Sequence, residues 1–137
     1  MSDRVVYADS SALVKLVVVE PETEHLLREL ADEPLLLSSA LAHVEVRRAV
    51  RIHTRGNRDA DGEARRLLAS CRLVEVTRPI LDLAGDLASN ALRSLDAIHL
   101  ASALRVEPDL VVAYDDGFTE AATAARLRVL APGRRTA

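Results

Sequence analysis

Val5-Val6-Tyr7-Ala8-Asp9-Ser10-Ser11 is a short apolar run closed by an acid and two hydroxyls, and its form returns late in the chain as Val111-Val112-Ala113-Tyr114-Asp115. Four or five apolar residues bounded by polar turn formers predict a buried strand, and side-chain oxygens directly after it predict a helix cap. The first run therefore predicts a strand over Val5–Ala8 and a helix from about Ala12 to Val19. Pro21 then opens a second helix, with Glu22 and Glu24 in its positive first turn and Leu26, Leu27 and Leu30 facing inward. Leu35–Leu37 reads as a strand, and Ser38 and Ser39 as caps of a long helix that runs to about Thr54, where Gly56 and Asn57 end it. A helix over Asp61–Ser70, a strand over Leu73–Val76 and a helix from Pro79 to about Ala91 follow. Ser94 caps the next helix, Leu95–Val106, which Pro108 stops. Leu110–Tyr114 predicts a strand, Phe118–Arg126 a helix and Val129–Leu130 a closing strand. Strands alternating with helices imply crossover connections, so the expectation is an α/β fold with a central, mainly parallel sheet of about four or five strands, covered on both faces. No linker or repeat divides the chain, and one domain over residues 1–137 is expected.

Composition narrows the function. With 49% hydrophobic residues the chain can bury an ordinary core, but no apolar run approaches the roughly 18 residues of a bilayer span. No basic segment followed by an apolar one opens the sequence, so a cytoplasmic protein without membrane association is expected. Cys71 stands alone and reads as a small buried or half-buried thiol. The net charge of -3 excludes affinity built on a broad basic face, and three aromatics, Tyr7, Tyr114 and Phe118, are too few to grip single strands by stacking. Lys15 is the lone lysine, so phosphate contacts would fall to arginine, whose planar guanidinium engages phosphate through two hydrogen bonds.

Four acids stand out by position. In a parallel sheet, Asp9 and Asp115 both project from the carboxyl-end edge, where open α/β sheets bind ligands, although each could equally cap the helix that follows. Glu45 interrupts the apolar stripe Leu41, Glu45, Ala49 and Ile52; it needs either a cation or, at the rim, a pairing with Arg48 or Arg51. Asp96 lies in the first turn of a helix that is apolar nearly all round, and His99 three residues on reads as a satisfied structural histidine. Asp116 could add a water-mediated contact to the same ion or cap the last helix. Clustered carboxylates suit a hard divalent cation such as Mg²⁺ or Mn²⁺. Zinc-type His and Cys spacings, a Gly-rich phosphate loop and a Gly-x-Ser-x-Gly elbow are all missing, so metal-assisted phosphodiester hydrolysis fits best.

Five stretches then occur in a telling order: Asp9-Ser10-Ser11-Ala12-Leu13; Glu45 within Ala42-His43-Val44-Glu45-Val46-Arg47-Arg48-Ala49; Leu92-Arg93-Ser94-Leu95-Asp96-Ala97-Ile98-His99-Leu100-Ala101; Ala113-Tyr114-Asp115; and Val129-Leu130-Ala131-Pro132-Gly133. Together they resemble PIN domains and, within them, the VapC ribonuclease toxins of toxin–antitoxin pairs. The resemblance implies a three-layer α/β/α fold and a Mg²⁺-dependent endoribonuclease, Mn²⁺ substituting, that cleaves RNA phosphodiester bonds. Asp9, Glu45, Asp96 and Asp115 would be its catalytic and metal-holding acids, Asp116 an extra acid that could either add a water-mediated metal contact or repel substrate, and Arg48, Arg51, Arg55 and Arg93 its RNA contacts. A cognate VapB-type antitoxin and a homodimer are also implied. The chain departs from the family in Ala113-Tyr114, in the extra acid Asp116, and in having no glycine at Arg126-Leu127-Arg128, where a changed turn is expected. The alternative is a non-catalytic interaction protein that binds a basic segment in its acidic groove. A dehalogenase-type phosphatase would need an aspartate where Ser11 stands.

Overall fold

The strands of the structure are two to four residues long, and each except the last is followed by a helix. The computed structural model describes residues 4–33, 35–87 and 92–134. In chain order the elements are β1 (Val6–Ala8), α1 (Ser10–Lys15), α2 (Thr23–Glu29), β2 (Leu36–Ser39), α3 (Ala42–His53), α4 (Arg58–Ser70), β3 (Arg72–Val74), α5 (Arg78–Asp86), α6 (Ser94–Val106), β4 (Leu110–Val112), α7 (Asp116–Ala124) and β5 (Val129–Leu130). The five strands form one sheet in the order β3-β2-β1-β4-β5, and every pairing is parallel. In the central pair Val6 lies opposite Leu110, Tyr7 opposite Val111 and Ala8 opposite Val112.

Alternation along β1 sorts the core into two layers. Val6 and Ala8 pack with Leu13, Leu26, Val46, Val50 and Leu68 on the face covered by α1 to α4. Tyr7 packs with Val111, Leu100, Ala103 and Phe118 on the face covered by α6 and α7, and α5 extends that layer through Ile80 and Ala84 against Ala97 and Ala101. All three residues of β1 and of β4 are buried, as expected of strands covered on both sides. This is the expected three-layer α/β/α arrangement. The chain winds from β1 to β2 and β3 on one side, then crosses to β4 and β5 on the other. The carboxyl ends of β1 and β4 therefore flank the point where strand order reverses, the place at which open α/β sheets make their ligand crevice.

Several local expectations are corrected. Helix α1 ends at Lys15, and Val19 is exposed. Pro21 precedes α2 instead of opening it, and Leu27 faces solvent. Ser38 and Ser39 are buried in β2, although Ser39 Oγ still accepts from Leu41 N at 3.1 Å. The inward stripe of α3 is Ala42, Val46 and Val50, while Ile52 is exposed, so Glu45 flanks the apolar face instead of interrupting it. Asn57 caps α4 through Ala60 N, which starts that helix at Arg58. Ser94 is the first residue of α6, with Arg93 at the cap position. The expected extension of α5 to Ala91 falls partly outside the described residues; the helix ends at Asp86. The turn before β5 is made without glycine, by Arg126 itself at φ 69°. Among the described residues no helix is long and apolar enough to cross a membrane.

Candidate functional site

The strand-end acids both cap helices, and capping does not exhaust them. Asp9 Oδ1 accepts from Ala12 N at 3.0 Å and from Ser11 Oγ at 2.6 Å, fixing the carboxyl at the start of α1. Asp115 Oδ1 accepts from Phe118 N at 2.8 Å at the start of α7. Each carboxyl keeps an Oδ2 that accepts no hydrogen bond from the described residues. Two further bonds tie the strand ends together: Asp9 N donates to Val112 O at 3.1 Å, and Tyr114 N donates to Ser11 Oγ at 2.9 Å. Ser11 thus bridges β1 to the end of β4, a role its sequence position as a cap candidate did not reveal.

Burial makes Asp9 unusual. Only 4% of the residue is exposed. Desolvation pushes its carboxyl up to about 6; the bonds from Ser11 and Ala12 oppose this, and the charge of Asp115 adds to it. Asp96, half-buried in the first turn of α6, is also raised, first by burial and then by the charges of Asp115 and Glu45. For Glu45 burial acts upward, but hydrogen bonds from His99 and Ser10 outweigh it and hold the carboxyl below its usual range. The charge of Asp115 thus acts on both Asp9 and Asp96, and that of Glu45 on Asp96.

Glu45 has neither of the arginine partners that its helix offered. Its Oε1 lies 2.6 Å from His99 Nε2 and accepts from Ser10 Oγ at 2.8 Å. His99 is buried on α6, its Nδ1 2.9 Å from the hydroxyl of Tyr7. Burial and the charge of Asp9 push that phenol well above its ordinary value. Tyr7 was not a candidate from sequence; the only signal was its position in β1, facing the layer that holds α6. Asp116 does not cap α7: it is the helix's first residue, its side chain almost fully exposed and bonded to Arg134 Nη1 at 2.8 Å.

The basic candidates are all exposed. Arg48 and Arg51 line a hollow of about 180 Å³ on α3 with His43, Val44 and Arg47, and Arg51 also borders one of about 450 Å³ with Gly56, Asn57 and Arg58. Neither hollow is lined by the four acids. Arg55 sits just past α3 at φ 54°, and the charge of Arg93 acts on Asp96. Lys15 is occupied, its Nζ 3.0 Å from Glu20 and 3.3 Å from Glu22, above the ring of Tyr114.

Among the described residues no three carboxyl, imidazole or thiol groups converge closely enough to share one ion. The donor chemistry nevertheless fits a hard divalent cation: carboxylate oxygens at strand and helix ends, where magnesium would keep several waters and take few protein ligands. A soft-metal or zinc site would require sulfur or imidazole donors, and the one imidazole here is engaged by Glu45 and Tyr7.

Comparison with known proteins agrees with this architecture. The family model for the PIN domain matches residues 6–124. Ribonuclease VapC46 of Mycobacterium tuberculosis is 46% identical over 129 residues, which cover 93% of this chain and 97% of that protein. Among solved structures, the crystal structure of VapC20 of Mycobacterium tuberculosis, described as a Sarcin-Ricin loop cleaving toxin, superposes with a TM-score of 0.69 at 21% identity, covering 85% of this chain and 94% of that one. VapBC2 from Rickettsia felis, solved bound to a DNA fragment from its promoter, gives a TM-score of 0.64 at 12% identity over 92% of this chain and 98% of the matched one.

Proposed function

Because this chain belongs to the PIN-domain family, we propose that it is a Mg²⁺-dependent endoribonuclease toxin of the VapC type, a single domain over residues 1–137, held inactive by a cognate VapB-type antitoxin. The observation that carries the reading is that Asp9 and Asp115 end neighbouring strands beside the strand-order reversal, with the charge of Asp115 acting on Asp9 and those of Asp115 and Glu45 on Asp96. Repelling carboxylates at a crevice are stabilised by a cation, and these four would hold it directly or through water. When bound, Mg²⁺ supplies Lewis-acid stabilisation of charge on the scissile phosphate and lowers the pKa of the attacking water, and Mn²⁺ substitutes.

The chain's own residues do the positioning. Ser11 and the amide of Ala12 hold one oxygen of Asp9, so the free oxygen has a fixed direction. Phe118 N does the same for Asp115. Arg48, Arg51, Arg55 and Arg93 bind backbone phosphates and carry the RNA toward the acids. A second copy of the chain completes a homodimer, and the work is done in the cytoplasm. Asp116, engaged by Arg134, lies outside the acid set.

The test is cleavage of RNA by the purified chain with and without Mg²⁺. Asp9→Asn and Asp96→Asn should each abolish metal-dependent cleavage while the circular dichroism spectrum stays that of the unaltered protein. Full activity in both variants would refute the assignment, and metal-independent inertness of the unaltered chain would favour the interaction-protein reading.

A further inference from the structure

Behind Glu45 lies a chain of side chains that the reaction as described does not use. Tyr7 is fully buried at the centre of β1, its hydroxyl 2.9 Å from His99 Nδ1, with the hydroxyls of Ser38 and Ser102 also close enough to act on it. A buried phenol needs an acceptor for its proton; Ser102 Oγ is turned to Ile98 O and Ser38 Oγ makes no bond of good geometry, so the ring nitrogen at 2.9 Å is the best-placed acceptor and Tyr7 donates to Nδ1. A nitrogen that accepts carries no proton, which puts the imidazole's own proton on Nε2. Nε2 in turn lies 2.6 Å from Glu45 Oε1, and Ser10 donates to the same oxygen at 2.8 Å. Oε1 is filled by two donors, while Oε2 accepts nothing from the described residues. The imidazole cannot turn freely, because it sits edge-on between Tyr7 at 6.3 Å and Phe118 at 6.2 Å, each at an interplanar angle of 80°.

We infer that Tyr7 and His99 are positioning residues for the metal site: the phenol fixes the Nε2–H form of the imidazole, and the imidazole with Ser10 grips Glu45 by Oε1, leaving Oε2 as its single ligating atom. The inference rests on the reading of Glu45 as a ligand. Partners that orient a metal-binding carboxylate from behind typically change metal affinity about 10- to 100-fold when removed. Nothing in their sequence positions announced this: the hydrogen bonds join residues 92 and 54 positions apart.

The experiment is a calorimetric Mn²⁺ titration of the full chain and its Tyr7→Phe, His99→Gln, Tyr7→Phe/His99→Gln and Glu45→Gln variants, with ¹⁵N spectra of the imidazole. The unaltered chain should show the Nε2–H form. Tyr7→Phe, which removes one oxygen from a core that keeps its shape, should weaken Mn²⁺ binding about 10-fold or more. A glutamine at position 99 can donate its amide to Glu45 whatever Tyr7 does, so His99→Gln should retain affinity and make the Tyr7 substitution silent, a coupling that a merely structural role would not produce. An Nδ1–H form, or Mn²⁺ affinity in Tyr7→Phe within about twofold of the unaltered chain while Glu45→Gln loses it, overturns the positioning role alone. Unchanged affinity in Glu45→Gln overturns the ligand reading and this inference with it.

Discussion

Asp9 divides its duties between two oxygens, one spent on the helix cap and one left at the crevice, and it does so while almost fully buried. A buried carboxylate is disfavoured in the folded state, and here the folded pKa is about 6 against an ordinary value of 3.8. For an acid raised on folding, the native state binds the proton more tightly. The associated stability is therefore fully present below the unfolded value and is lost as pH rises through the folded one, a loss of up to about 3 kcal/mol at about 1.36 kcal/mol per unit. Asp9→Asn keeps an oxygen that can accept from Ala12 N and Ser11 Oγ but carries no charge. In EDTA the variant should melt above the unaltered chain at pH 7, and the difference in Tm should open between about pH 4 and 6.5. A difference that does not vary with pH would show that Asp9 is not desolvated in the absence of metal. Added Mg²⁺ should close the gap at pH 7 by stabilising the unaltered chain alone, and the same substitution that stabilises the apoprotein should remove activity.

Helix ends show how local chemistry and tertiary context share control. At the end of α7, Leu127 N donates to Ala122 O at 3.0 Å and Arg126 N to Thr123 O at 2.9 Å, the double closure of a Schellman motif with arginine where glycine is favoured. Arg126 holds φ 69° there, a left-handed conformation that costs a side-chain-bearing residue about 1–2 kcal/mol. Glycine regains most of that cost and gives back about 0.5–1 kcal/mol as unfolded-state entropy. Arg126→Gly should therefore raise stability by about 0.5–1 kcal/mol, seen as a Tm increase of a few degrees with unchanged cleavage; a lower Tm would mean the arginine side chain contributes packing that outweighs its backbone strain. The missing glycine was legible in the sequence, but its consequence was not, because a Schellman turn can be kept at a cost as readily as replaced. The strands were legible for the opposite reason: Val5-Val6-Tyr7-Ala8 and Leu110-Val111-Val112 are too apolar for any other place, and the acids that end them had to lie on one edge. The face of α3 was misread because two neighbouring stripes, Leu41/Ala49/Ile52 and Ala42/Val46/Val50, are both apolar, and only packing against α1 and α4 selects the second. The acid set could be proposed from spacing and family resemblance, whereas the Tyr7–His99–Glu45 chain depends on which layers meet across the sheet, information that no local window contains.

Charge distribution over the entire surface sets how substrate binding and metal are linked. Setting aside the four acids proposed to hold the metal leaves 17 carboxylates against 18 basic groups, so on that proposal the net charge of -3 belongs to one anionic site on a nearly balanced background. An RNA backbone approaching the proposed site would meet repulsion when the cation is absent and attraction to the ion when it is present. On the proposed reading the exposed arginines on and beyond α3 would supply the counterpart, each phosphate they neutralise contributing about 0.7 to the slope of log affinity against log salt for a single strand. Two outcomes follow for a short RNA with hydrolysis-resistant linkages, measured by fluorescence anisotropy. With Mg²⁺ present, Arg48→Ala/Arg51→Ala/Arg55→Ala should flatten the salt dependence by about 2 in that slope. The doubly neutralised chain Asp9→Asn/Asp96→Asn should bind this RNA more tightly than the unaltered chain in EDTA and less tightly in Mg²⁺, because the same carboxylates repel the backbone when bare and recruit it when bridged by the ion. An order of affinities that is the same in both conditions would show that RNA is held away from the acids, on a surface the metal does not influence.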